Sequence, residues 1–179
     1  MNDALRARLV ELRHASGWHL ALRALVLLAP LGTLAFLGAA AGHMPVLFPV
    51  PVVVLAVAAM LVPDSAAGVV LLVLLIWEWY ARVDDPHTWW ALPAALSMLV
   101  FHAAAAACSG LPAAGRWPAA TRRRWLWRCG AVGLATVAAW GVGVGIARLD
   151  APGDVLLTAA LAFVIAGGVW WFLRRNPVD

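Results

Sequence analysis

The sequence contains no lysine, and its 179 residues include only nine acidic side chains and two cysteines. Charged residues make up 12% of the chain, about half of the roughly 25% that is usual in soluble domains. Cys108 and Cys129 lack the CxxC or Cys/His spacing of a zinc site, so we expect reduced thiols and no metal site. HExxH, GxSxG and Walker sequences are also missing. These absences argue against several enzyme classes, and they predict neither a cofactor nor catalytic residues.

Apolar residues dominate what remains, at 64% of the chain. A soluble protein of this size could not cover so much apolar surface, so we expect lipid to surround much of it. The apolar residues fall in runs that are separated by short polar or proline-containing breaks. They predict an all-α, polytopic transmembrane bundle of about six spans, at residues 24–42, 46–62, 66–82, 89–108, 129–147 and 155–173.

Two polar segments accompany this single transmembrane domain, which the sequence places at 23–175. Residues 1–22 combine arginines with leucines at helical spacing and predict a short amphipathic helix on the membrane surface. Residues 109–128 form the longest polar connection, a basic loop. The alanines at 39–41 resemble a signal-peptide cleavage site, but the five apolar runs that follow favour a retained first span.

The arginines predict the orientation. With the N-terminus inside, the inner segments hold eleven arginines and the outer loops hold only Arg82 and Arg148. This positive-inside bias predicts a multi-pass protein of the bacterial plasma membrane with both termini in the cytoplasm. The aromatic residues fall at both expected interfaces: Trp77, Trp79, Tyr80, Trp89 and Trp90 outside, and Trp18, Trp117, Trp125, Trp127, Trp170 and Trp171 inside.

Ionisable residues interrupt two apolar runs, at Glu78 and His102. A charge at bilayer depth costs about 2.5–3.5 kcal/mol, so each residue needs a partner, a neutral state or water. The functional interpretation is an intramembrane polar site, or a proton or cation path, formed by Glu78, His102 and Ser97. The structural interpretation is that Glu78 reaches outward and His102 bonds to a neighbouring helix. Helical rises separate Glu78 and His102 by roughly 8 Å in depth, so direct contact is not expected.

Several of the remaining acidic residues have structural explanations. Asp85 before Pro86 predicts the N-cap of the fourth span, and Asp64 or Ser65 predicts that of the third. Asp84 is expected to pair with Arg82. The carboxylates on the outer side therefore favour helix caps over a metal site.

The run TRRRWLWR interleaves basic and aromatic side chains. Nucleic-acid-binding proteins use this mixture, but next to a membrane it favours anionic lipid headgroups, at about 1 kcal/mol per basic residue. We therefore predict headgroup or partner contacts, and no nucleic acid, at Arg122, Arg123, Arg124, Trp125, Trp127 and Arg128.

A resemblance rests on three scattered dipeptides: Asp85-Pro86, Phe101-His102 and Arg124-Trp125. With them, the layout of short spans resembles uncharacterised small multi-spanning membrane proteins of high-GC Gram-positive bacteria. The resemblance implies no activity.

Three functions remain open. The favoured one is a non-enzymatic accessory or scaffold subunit of a cell-envelope membrane complex, because buried chemistry is sparse and small residues are abundant. Gly38/Gly42 and Gly141/Gly145 have GxxxG spacing, which packs helices within a chain, in a homo-oligomer or against a membrane-protein partner. The alternative is a small transporter or channel that uses Glu78 and His102. The third is a lipid-modifying membrane enzyme.

Overall fold

All regular structure is helical in the residues that the computed structural model describes, which are 16–43, 47–110, 117–148, 160, 162–168, 170 and 174. The all-α prediction is confirmed. Five helices have defined bounds: α1 Gly17–Ala41, α2 Pro49–Leu61, α3 Ala67–Arg82, α4 Ala91–Gly110 and α5 Ala119–Ala147. Residues 162–168 are also helical.

Three of these helices, α1, α4 and α5, are long and apolar enough to cross a membrane. With 13 and 16 residues, α2 and α3 extend about 20 and 24 Å, less than a hydrocarbon core of ~30 Å. The count of six spans and the location of the termini remain predictions. Residues 1–15 and most of the predicted sixth span lie outside the described residues.

Two helices begin earlier than the apolar runs predict. Helix α1 begins at Gly17, and the Ser16 hydroxyl caps it by accepting a bond from the His19 N–H. Helix α5 begins at Ala119 rather than residue 129, so the second half of the predicted 109–128 loop is helical. The physical reason is that arginine and alanine are good helix formers, so polarity alone does not end a helix.

The core lies between α1, α2, α3 and α4, and α5 packs on the outer side of α4. Leu22, Leu37, Leu71 and Phe101 are fully buried in it. Contacts join the start of α1 to the end of α2 and to the start of α5 at one end of the bundle, here called the Arg23 end. Helix α2 therefore runs opposite to α1 and α5. At the opposite end, the Trp90 end, Phe36 stacks on Trp90 and Trp89 contacts Trp140.

Glycines lie at three helix crossings, where an added Cβ would be in ordinary van der Waals contact with the neighbouring helix. A Cβ built on Gly32 would lie 3.4 Å from the Ser97 Oγ, and one on Gly68 would lie 3.6 Å from the Phe101 ring. One on Gly133 would lie 3.9 Å from Leu96. In contrast, a Cβ on Gly141 or Gly145 would meet no atom within 4 Å. The expected GxxxG pair of α5 therefore takes no part in packing among the described residues.

Candidate functional site

The first predicted site residue, Glu78, forms an ion pair with Arg82 one turn further along α3. The Arg82 guanidinium carbon also lies 5.9 Å from the centre of the Phe48 ring. The expected Asp84–Arg82 pair is therefore wrong. Helical spacing of four residues places Glu78 beside Arg82, whereas Asp84 follows the extended residue Val83, beyond the end of α3.

The other two predicted site residues occupy different environments. His102 is exposed on the surface of α4, and Ser97 lies against Gly32 where α4 crosses α1. Among the residues described, no hydrogen bond or ion pair connects any two of Glu78, His102 and Ser97. The structure therefore does not bring them together as one polar site.

A buried polar pair that the sequence did not reveal lies at the Arg23 end. Arg23 and His19, both on α1, are each only 4% exposed. The Arg23 Nη1 donates to the Met60 carbonyl oxygen at 3.0 Å. Met60 is in the last turn of α2, where carbonyls lack helical N–H partners. Composition could not show this contact, because its partners are 37 residues apart.

An aromatic cluster, Trp18, Trp117 and Trp125, joins α5 to α1 beside this pair. The Trp117 ring centre lies 5.8 Å from that of Trp18 and 5.4 Å from that of Trp125. The Arg122 guanidinium carbon lies 5.7 Å from the Trp18 ring centre, a cation–π geometry. The first two turns of α5 are therefore held against the start of α1.

The basic and aromatic residues predicted to contact headgroups are distributed around these turns. Trp125 is half-buried against Trp117, whereas Trp127 is 56% exposed. The predicted contact residues that are exposed are Arg122, Arg123, Trp127 and Arg128; Arg124, like Trp125, is half-buried. Helical periodicity therefore gives the TRRRWLWR segment two sides. One side packs against the rest of the protein, and the other is exposed and accessible to a headgroup or a partner.

Electrostatics at this end favour an anion. The first turn of α5 has no acidic residue, and Pro118 provides no side-chain cap. The positive end of the helix dipole therefore adds to the arginine charges. Among the described acidic residues, only Asp64, in the turn between α2 and α3, lies at this end.

Two of the cavities in the described region are lined almost entirely by apolar atoms. The larger, about 470 Å³, lies between α5 and the C-terminal helical residues and is lined by Thr136, Trp140, Ile165 and Trp170 among others. The smaller, about 290 Å³, lies between α3 and α4 beside Trp79 and Met98. In the part of the chain described, no three His, Cys, Asp or Glu side chains group together as metal ligands. The described surface therefore offers positive charge and aromatic rings at the Arg23 end, and apolar contacts in the two cavities.

No known protein family, curated protein or solved structure matches this chain.

Proposed function

We propose that this chain is a multi-pass protein of the bacterial plasma membrane, with six spans and both termini in the cytoplasm. We further propose that it is a non-enzymatic accessory or scaffold subunit of a cell-envelope membrane complex. Three long apolar helices and the positive-inside distribution of arginine support the location. The role as a subunit is supported by the surface of α5.

One face of α5 is uncovered along nearly the whole helix. Gly143 is the only residue of this helix that is buried, and Leu134 is 71% exposed. The exposed residues recur three or four apart, so they form one continuous face: Arg123, Trp127, Gly130, Leu134, Ala138, Gly141 and Gly145. Glycine and alanine on such a face let a second helix approach closely. The proposed role as a subunit rests on this exposed face of α5.

The polar residues favour a subunit over a transporter. A transport path needs ionisable groups that share a cavity, but the Glu78 carboxylate pairs with Arg82. Neither Glu78 nor His102 lines either of the two cavities. An exposed histidine within an apolar span is costly in lipid and less costly against a polar group of a partner helix. The exposure of His102 therefore fits a chain that is covered by another membrane protein.

Site-specific photo-crosslinking in membranes of the source cell tests the proposal. A photoreactive residue replaces Leu134 on the uncovered face of α5, and in a matched chain it replaces Val73, which is 62% exposed on α3. We expect a discrete protein adduct from position 134 and only lipid adducts from position 73. Lipid adducts alone at both positions would contradict the subunit role.

A further inference from the structure

We propose that the start of α5 forms a binding surface for the phosphate of an anionic phospholipid headgroup. This surface, the basic belt, consists of Arg122, Arg123, Arg124 and Arg128 with the aromatic cluster beside them. The inference rests on the proposed location in a membrane, and it adds a lipid class and a defined site to that proposal.

The arginines of the basic belt have no counter-ion among the residues that the structure describes. Within the described part of the chain, none of the four forms an ion pair. Three of them are exposed, whereas Arg124 is half-buried and its Nε atom is buried with no hydrogen-bond partner in the structure. Arginine presents a planar fork of N–H donors that matches a phosphate. The belt is therefore a set of donors without an acceptor.

Part of the belt is already fixed in position. The Arg122 guanidinium rests over the Trp18 ring, and Trp117 packs between Trp18 and Trp125. Stacking of a guanidinium on a ring uses its face and leaves its N–H edges free. Less side-chain freedom is then lost when Arg122 binds an anion.

The backbone adds a second source of donors. The Arg122 N–H bonds to the Pro118 carbonyl, so the helical ladder begins there. The three earlier N–H groups of α5 precede this ladder, and Pro118 gives them no side-chain cap. Helix N-termini of this kind bind phosphate. Helix α1 differs, because Ser16 caps its start.

The length of α5 points to a lipid as the source of the phosphate. Its 29 residues extend about 43 Å, about nine residues more than a ~30 Å hydrocarbon core requires. The excess is close to the ten residues from Ala119 to Arg128 that contain the basic belt, because the apolar run of α5 follows them. The belt would then lie at headgroup depth, where tryptophan is also favoured.

Lipid selectivity measured by electron spin resonance tests the inference. The full chain is placed in phosphatidylcholine nanodiscs that contain either spin-labelled phosphatidylglycerol or spin-labelled phosphatidylcholine. We expect a larger immobilised fraction for phosphatidylglycerol. Arg123→Gln should lower this selectivity by up to about fivefold, the equivalent of ~1 kcal/mol per basic residue. The matched control is Arg148→Gln, an exposed arginine at the other end of α5, and it should preserve the selectivity.

A second pair of variants separates the backbone donors from general charge. Pro118 has an extended conformation, φ −55° and ψ 138°, which an N-cap asparagine also adopts. Pro118→Asn should cap α5 with its side-chain amide oxygen without changing the net charge, stabilise the helix and lower phosphatidylglycerol selectivity. Pro118→Ala adds no acceptor and should leave the selectivity unchanged.

The outcomes distinguish this inference from the proposed function. If the chain enters nanodiscs but shows no preference for phosphatidylglycerol, the headgroup site is wrong and the membrane location stands. An equal loss of selectivity in Arg123→Gln and Arg148→Gln would also overturn the site. It would show that the headgroup responds to the overall positive charge of the chain and not to the basic belt. Loss of selectivity on adding inorganic phosphate, at constant ionic strength, would identify soluble phosphate as the ligand instead. Failure to enter the bilayer would overturn both proposals.

Discussion

Arg23 on α1 donates a hydrogen bond to the Met60 carbonyl at the end of α2, across 3.0 Å. Helix α2 has no basic residue in its own last turn, so a neighbouring helix supplies the cation that its negative C-terminal end favours. The apolar stem of Arg23 is buried with Leu22 and Val26 at the Arg23 end of the core. One side chain therefore joins two helices and stabilises the end of one of them.

Replacing Arg23 with methionine should destabilise the bundle while preserving its apolar volume. We expect a loss of about 1.5–3 kcal/mol in the free energy of unfolding, the usual contribution of a hydrogen bond to a charged group. Unfolding in mixed detergent micelles gives the measurement. Leu28→Met is the control, because Leu28 is 58% exposed on the same helix. Equal stability of the two variants would mean that the Arg23 bond contributes nothing.

Glu78 and Arg82 should show energetic coupling in a double-mutant cycle. Arg82→Met leaves the Glu78 carboxylate, whose side chain is 15% exposed, without its partner, and should destabilise more than Glu78→Gln. The double variant removes both charges and should recover part of the loss. We expect a coupling energy of about 0.5–1 kcal/mol, because the pair is partly shielded from water. Strictly additive losses would show that the ion pair has no energetic role.

Gly32 and Gly141 should respond in opposite ways to the same substitution. Gly32→Val places methyl groups against the Ser97 Oγ, already 3.4 Å from the Cβ position, and overpacking of this kind costs about 1–3 kcal/mol. Gly141→Val meets no atom within 4 Å and should leave the thermal midpoint unchanged. If α5 docks on a partner, Gly141→Val should still weaken the crosslink from position 134. A destabilised Gly141→Val chain would place an intramolecular contact there.

The sequence was informative where a property depends on composition and uninformative where it depends on packing between distant residues. Apolar runs predicted the helical class and located α2, α3 and α4 to within a few residues. They did not predict the start of α5, because the basic run has no helix-breaking residue after Pro118. The Arg23–Met60 bond could not be inferred, because many residues could have faced the end of α2.

Local turns also competed with the predicted caps. Asp85 accepts a bond from the His87 N–H at 2.9 Å and so caps a turn, whereas α4 begins only at Ala91. Aspartate closes such turns as readily as it caps helices. At the start of α3, the N-cap is Ala66, and the Ser65 N–H instead closes a turn onto Val62. Both cap predictions were wrong for the same physical reason.

Asp64 and Asp84 provide a direct test of orientation. Both are exposed, one in the turn between α2 and α3 and the other just after α3, at opposite ends of that helix. In a chain with Cys108→Ala and Cys129→Ala, we expect Asp84→Cys to react with a membrane-impermeant maleimide on intact cells. Asp64→Cys should react only after the membrane is opened, because the arginine distribution puts the Arg23 end inside. The reverse labelling pattern would show that the bundle has the opposite orientation, with the basic belt outside the cell. Labelling of both cysteines in intact cells would show that α3, with its 16 residues, does not cross the membrane.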